Sequence, residues 1–166
     1  MGFVESVIKI NNRTLRVYNC HLGYLGAEER LDQIKQLVKA YQQSPLQHGA
    51  WSGKSNIDGD DWSDGREIPE MPGTAIVCGD FNCPPESTEY RYLIDNSDLN
   101  DCWSVSAPGN FNTSTLRHSM TEDIKISGKI DHIFVSDDLV DRVQRVAVDH
   151  EADGSDHKPV RCYLEL

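Results

Sequence analysis

The sequence predicts an α/β fold in which strands and a few helices are arranged in layers. Six segments have the alternation or the short apolar runs of strands, and one longer segment has helical periodicity. The 166 residues are enough for one domain with a core, and 38% hydrophobic with 26% charged residues is typical of a globular protein. No run approaches the roughly 18 apolar residues of a membrane span, so we expect no transmembrane segment.

The N-terminal part of the chain predicts a hairpin followed by a helix. Residues 3–10 and 14–22 have the composition of strands, and Asn11-Asn12 between them is a turn signal. Residues 27–43 predict an amphipathic helix. Its apolar positions recur at helical spacing, at Leu31, Ile34, Leu37, Val38 and Tyr41.

Residues 44–73 differ in composition, and we interpret them as an acidic loop inserted into the domain. They contain Gly, Ser and Pro, and six acidic residues lie between Asp58 and Glu70. The spacing does not match a calcium loop. A solvated loop is the favoured interpretation; metal binding, or Trp51 or Trp62 lining a substrate cleft, are the alternatives.

The remaining strands are predicted around polar residues. Residues 74–82 form an apolar run that ends with Asp80 and Asn82, and Ser87 or Thr88 is placed to cap a short helix. Further strands are predicted over 129–136, 143–150 and 159–166.

Several residues at the ends of these strands could perform chemistry. His21, Asp80, Asn82 and the pair Asp156-His157 all lie where an apolar run ends or begins. Asp131 lies within an apolar strand, where a carboxylate is costly unless it has a partner. Carboxylate, amide and imidazole groups together suit hydrolysis of a phosphate ester. The sequence lacks GxxxxGK[ST], HExxH and GxSxG, which removes three common alternatives.

Charge and cysteine content limit the partners and the compartment. With 16 Lys+Arg and 27 Asp+Glu the net charge is −11, which argues against a broad basic face for nucleic acid. The five cysteines have no regular spacing, and the first residues lack the layout of a signal peptide. We therefore expect a reducing compartment, the cytoplasm.

An ordered set of motifs resembles a known superfamily. NCHL, ER..Q, CGDFNCPP, NDCW, KIDHIF and GSDHKPV occur in the order typical of the C-terminal portion of the endonuclease/exonuclease/phosphatase superfamily, whose members include deoxyribonuclease I-like nucleases. The resemblance implies a layered α/β sandwich of the deoxyribonuclease I-like type. It also implies divalent-metal-dependent hydrolysis of phosphoric esters, with Mg²⁺ or Mn²⁺. The substrate class (nucleic acid, lipid or small molecule) and the choice between phosphodiesterase and phosphatase stay open.

The resemblance also implies roles for individual residues. Asp80 would orient or deprotonate the attacking water, and Asn82 would contact phosphoryl oxygens or help to hold the metal. His157 would stabilise charge on the phosphate, with Asp131 as its partner carboxylate. Asp156 matches a metal-binding position.

Four further residues carry expectations from the same motifs. His21 matches a second phosphate-facing histidine. Arg30 lies on the helix that follows; we expect it, with Gln33, to act mainly as a scaffold under the site, and direct contact with substrate is the alternative. His132 would face the opposite side of its strand and have a structural role.

One departure from the family pattern bears on activity. The Asn and the metal-binding Glu that precede the HL motif in the family have no counterpart before His21. We therefore expect only the C-terminal half of the fold, over residues 1–166. The alternative to an enzyme is a non-catalytic fragment or interaction module. Such a module would self-associate as a homodimer or require a complementing N-terminal segment.

Overall fold

A computed structural model describes residues 1–47, 71–107, 113–116 and 128–166. In chain order the elements are β1 (Gly2–Ile10), β2 (Arg13–His21), α1 (Ala27–Gln47), β3 (Ala75–Asp80), α2 (Thr88–Asp95), β4 (Leu99–Asp101), α3 (Cys102–Ser106), β5 (Asp131–Ser136), a 3-10 turn (Asp137–Arg142), β6 (Val143–Val148) and β7 (Val160–Leu164). All six predicted strands are present, and β4 and α3 are additional to them. No helix in the described ranges is long and apolar enough to cross a membrane.

The strands form one large and one small sheet. The large sheet has the order β1-β2-β3-β5-β4, and β6 pairs with β7 in a separate two-stranded sheet. β2 and β3 are parallel, as expected when a helix connects them, and the other pairs are antiparallel. The β1–β2 connection is the two-residue turn predicted at Asn11-Asn12, with Asn11 at φ 55°.

The two faces of the large sheet are covered by different layers. Val77 and Phe134 are buried in a core that includes apolar residues of α1 and α2. Their strand neighbours Ile76 and Val135 belong to a second cluster that includes residues of β6 and β7. Because successive strand residues point to opposite faces, the order of layers is helices, large sheet, small sheet. The predicted layered α/β fold is confirmed.

Helix α1 is one turn longer than the sequence predicts. We expected it to end at residue 43, but it continues to Gln47 with Pro45 inside its last turn. Proline has no N–H to donate to the carbonyl of Tyr41, four residues earlier. Nη1 of Arg16, a fully buried residue of β2, donates to that carbonyl at 2.8 Å instead. The predicted insertion at 44–73 therefore loses its first four residues to the helix, and its residues 48–70 lie outside the described part of the chain.

A close contact between β2 and β3 occurs at Gly79. This residue has φ +134°, and a Cβ built on it would lie 2.0 Å from the carbonyl oxygen of Cys20. Backbone atoms cannot move aside as a flexible side chain can. The close approach of the two strands just before Asp80 therefore requires glycine at this position.

We predict that Gly79→Ala destabilises the protein by about 3 kcal/mol or more, because the new methyl group overlaps the backbone of the neighbouring strand. The measurement is the free energy of unfolding in urea. Gly73→Ala is the matched control, because a Cβ at Gly73 meets no atom within 4 Å. Equal stability of the two variants would contradict the assigned contact.

Candidate active site

The strand register brings three of the predicted site residues side by side at one end of the large sheet. His21 on β2 is the register partner of Asp80 on β3, and Asp80 is the partner of Asp131 on β5. Nε2 of His21 lies 3.7 Å from Oδ2 of Asp80. The His21 side chain is 63% exposed and that of Asp80 is 16% exposed. The three side chains therefore form a row that begins at the exposed His21 and continues to the partly buried carboxylates of Asp80 and Asp131.

His157 completes this group from the connection between β6 and β7. Its Nδ1 lies 2.9 Å from Oδ2 of Asp131, and its Nε2 lies 3.9 Å from Oδ2 of Asp80. The hydrogen bond to Asp131 supplies the partner that a carboxylate in an apolar strand requires, as the sequence predicts. It also leaves Nε2 directed toward Asp80.

Asn82 is held in the turn that follows β3. Its backbone N–H donates to Oδ1 of Asp80 at 2.8 Å, which is an Asx turn, and its φ of 50° is a conformation that asparagine tolerates. Its Nδ2 donates to the carbonyl of Leu22 at 2.9 Å and to Oδ2 of Asp80 at 3.2 Å. The amide thus connects the ends of β2 and β3 and fixes the orientation of the Asp80 carboxylate.

The electrostatics of the group favour a protonated imidazole. Burial alone would lower the pKa of His157, but the hydrogen bond that its Nδ1–H donates to Asp131 and the charges of Asp131, Asp80 and Asp156 raise it above its ordinary value. The pKa of Asp80 is also raised, first by burial and then by the charge of Asp131, although the Asn82 N–H and the two histidines oppose this. The facing carboxylates of Asp80 and Asp131 therefore lie close to an imidazole whose protonated form they favour.

The same group offers ligand atoms for a cation. One atom each from Asp80, Asp131 and His157 lie within 4.8 Å of one another. Asp156 is not in this set: its side chain is exposed, and its Oδ1 accepts from Ser155 Oγ at 3.4 Å. The structure therefore brings Asp80 into a potential metal site but leaves Asp156 at its margin.

Arg30 and Gln33 lie beneath the site. The guanidinium of Arg30 contacts the carboxylate of Glu89 on α2 at 3.0 Å and donates to the carbonyls of Gly23 and Tyr24. Oε1 of Gln33 accepts from the N–H of Gly23 at 2.8 Å. These contacts match the scaffolding role expected for both residues, since they fix the loop that follows His21.

Other predicted residues lie away from the group or outside the described ranges. His132 is fully buried on the opposite strand face, with Nε2 3.0 Å from the carbonyl of Cys83, as its structural interpretation requires. Trp51 and Trp62 lie outside the described residues. No local pattern marks Glu89, because its partner Arg30 is 59 residues away in the sequence.

We predict that Asp131→Asn lowers the pKa of His157, because the variant removes both the charge and the strongest acceptor at Nδ1. A pH titration of the His157 ring by NMR measures it. A raised histidine pKa stabilises the fold fully below the unfolded value of about 6.5, and this contribution is lost as the pH rises through the folded value. The variant should therefore lose stability most below that window. Asp32→Asn on the exposed face of α1 should leave the His157 pKa unchanged and lose only an exposed ion pair with Lys35. An unchanged His157 pKa in Asp131→Asn would contradict the assignment.

The family model described as "Endonuclease/Exonuclease/phosphatase family" matches residues 6–157. No curated protein matches the sequence.

Solved structures share the fold at low identity. An AP endonuclease from Archaeoglobus fulgidus has 16% identity and a TM-score of 0.60, covering 99% of this chain and 65% of its own. The 3' phosphatase NExo from Neisseria, bound to a product DNA hairpin, has 18% identity and a TM-score of 0.60; the match covers 92% of this chain and 62% of NExo. The mannosyl-6-phosphatase Bt3783 from Bacteroides thetaiotaomicron has 20% identity and a TM-score of 0.53; the match covers 94% of this chain and 53% of Bt3783.

The chain thus spans 53–65% of the length of these three structures. The deoxyribonuclease I-like fold type expected from the motifs is confirmed by these neighbours. Because the family model covers most of the sequence, the chain belongs to the endonuclease/exonuclease/phosphatase family.

Proposed function

We propose that the protein containing this chain hydrolyses phosphoric esters with the help of a divalent cation. Its proposed active site consists of Asp80, Asn82, Asp131, His157 and His21. The observation that supports this most directly is the His157–Asp131 hydrogen bond with Nε2 of the same ring facing Asp80. It places an imidazole, whose pKa the neighbouring carboxylates raise, beside a carboxylate acceptor. Membership of a family of phosphoester hydrolases supports the same reaction class.

The residues present fit a divalent cation. Asp80 and Asp131 are two partly buried carboxylates on neighbouring strands, and the charge of Asp131 is one cause of the raised pKa of Asp80. A cation between such groups offsets their repulsion, and carboxylate oxygens are the ligands that Mg²⁺ and Mn²⁺ prefer. Asp80 and Asn82 would hold the ion, and we retain Asp156 as a further proposed ligand. When bound, the ion supplies Lewis-acid charge that activates water and offsets charge on phosphoryl oxygens.

The protein side chains have complementary tasks in this proposal. Asp80, with a raised pKa, orients the attacking water and accepts its proton. Nε2 of His157 donates to a phosphoryl oxygen as negative charge develops there, while Asp131 fixes the ring. Nδ2 of Asn82 donates to Leu22 and Asp80, so its amide oxygen would be the atom that helps to hold the ion. His21, the most exposed member, contacts the substrate from the solvent side.

The proposed substrate is defined by its phosphoester group. The structural neighbours include a phosphatase with a DNA product and a sugar phosphatase by name, so fold similarity is compatible with nucleic-acid and small-molecule esters alike. Arg30, the alternative substrate contact, has its guanidinium engaged by Glu89 and two carbonyls. We therefore propose it as a scaffold. The cytoplasm stays the predicted compartment.

We predict Mg²⁺-dependent hydrolysis of bis(p-nitrophenyl) phosphate or p-nitrophenyl phosphate, the first reporting a phosphodiesterase and the second a phosphatase. Asp80→Asn and His157→Gln should each lower kcat by on the order of 100-fold or more, because each removes a group that acts in the transition state. His150→Gln and Asp32→Asn, which make the same chemical changes at exposed positions, should retain the rate. Full activity in both site variants, or no hydrolysis by the unaltered protein, would refute the proposal.

A second candidate function, self-association without catalysis, is favoured by one specific observation. Within the described residues β1 is an edge strand of the large sheet, and Val4, Ile8 and Ile10 on one of its faces are 65%, 37% and 37% exposed. An apolar face beside an unpaired strand edge is suited to pairing with a second copy of the chain.

This candidate predicts a dimer in light scattering after size-exclusion chromatography, and dissociation in the variant Val4→Lys with Ile8→Lys, because the charges would be buried at the interface. Lys9→Arg, on the same strand, is the control and should leave the dimer intact. A monomer at all concentrations would rule this candidate out.

A further inference from the structure

The His157–Asp131 hydrogen bond joins two segments that have no direct strand pairing with each other at this point. Asp131 begins β5 in the large sheet, whereas His157 precedes β7 of the small sheet. A hydrogen bond of 2.9 Å between side chains on separate elements requires that their backbones be held at a fixed separation. The short segment 113–116 lies against both.

The hydroxyl of Thr115 fixes the start of β5. Its Oγ1 accepts from the N–H of Ile130 at 3.1 Å and from the N–H of Asp131 at 3.3 Å. The same hydroxyl donates to the carbonyl of Gly128 at 3.0 Å. Thr115 is 1% exposed, so these three bonds use the full capacity of a buried hydroxyl.

The backbone of the same segment fixes the other partner. The carbonyl of Thr115 accepts from the N–H of Lys158 at 2.7 Å, and Leu116 forms an isolated antiparallel bridge with His157. One residue therefore bonds the backbone N–H of Asp131 through its side chain and the residue next to His157 through its carbonyl.

The segment is itself closely packed, which makes it a firm support. The N–H groups of Thr115 and Leu116 both donate to the carbonyl of Gly128, at 2.7 Å and 3.2 Å. A Cβ at Gly128 would lie 2.0 Å from Oγ of Ser114, so this contact is compatible only with glycine unless Ser114 moves.

We propose that Thr115 is a positioning residue that sets the separation of Asp131 and His157, so that the hydrogen bond between them forms. The hydrogen bonds of Thr115 go to backbone groups and not to the side chains of the pair, so it acts through the backbone. The inference rests on the proposed function only in that the pair it aligns is the proposed reactive group.

The test uses variants that separate the hydroxyl from the shape of the side chain. Thr115→Val keeps the branched shape and loses the hydroxyl, while Thr115→Ser keeps the hydroxyl and loses the methyl group. The readout is the downfield NMR proton signal of Nδ1–H of His157, in protein labelled with ¹⁵N-histidine. Asp131→Asn, which removes the acceptor, assigns the signal by its loss. Thr113→Val makes the same chemical change two residues away as the matched control.

We expect the signal to persist in Thr115→Ser and Thr113→Val, and to be lost or to exchange at least 10-fold faster in a folded Thr115→Val. A Thr115→Val protein whose signal and exchange rate equal those of the unaltered protein would overturn the proposal. So would loss of the signal in Thr115→Ser, which decides the matter even if Thr115→Val does not fold.

Activity is measured separately, so the two proposals can fail independently. If the NMR signal follows this pattern but neither the unaltered protein nor any variant hydrolyses phosphoesters, the positioning role stands and the proposed function fails. If the unaltered protein is active and Thr115→Val keeps both kcat and the NMR signal, the positioning role fails alone.

Discussion

The close pairing of β2 with β3 is the constraint on which the proposed site depends. β3 lies in the middle of the large sheet, parallel to β2 and antiparallel to β5, so its last residue has a register partner on each side. The absence of a side chain at Gly79 permits the approach to β2 immediately before Asp80. His21 and Asp131 face Asp80 as a consequence of backbone pairing and not of side-chain contacts alone.

This placement creates an electrostatic requirement that the neighbouring residues meet. Asp80 and Asp131 are like charges opposite each other on adjacent strands, an arrangement that is unfavourable by itself. His157 is bonded to one carboxylate and faces the other, and these carboxylates raise its pKa, so its protonated form offsets part of the repulsion. The negative charge that remains on the two carboxylates is the feature that suits the proposed divalent cation, and through that cation a phosphate group.

Local patterns predicted most of the fold and the composition of the site. The alternation of strand residues, the helical spacing in 27–43 and the polar residues at strand ends all depend on near neighbours in sequence. The partner of Asp131 was predictable because a carboxylate in an apolar strand needs a compensating group. The resemblance of the motifs then indicated which histidine it was.

The residues that sequence reasoning missed depend on distant partners. Glu89 is bonded to Arg30 over 59 residues, and Thr115 to Asp131 over 16. An isolated threonine or glutamate has no periodicity that marks it as buried. The end of α1 was predicted too early because the composition changes at residue 44, and the donor that compensates for Pro45 belongs to β2.

The hydrogen bond from Arg16 raises the free energy needed to open α1 near its C-terminal end. Helix ends commonly fray, because opening the last turn replaces hydrogen bonds within the helix by hydrogen bonds to water at little cost. Here the carbonyl of Tyr41 is bound by the guanidinium of Arg16, which is buried within the sheet-facing core. Opening this turn would leave a buried cation without that acceptor. The turn of α1 at Tyr41 and strand β2 are therefore thermodynamically coupled, because separating them leaves the buried Arg16 with fewer acceptors.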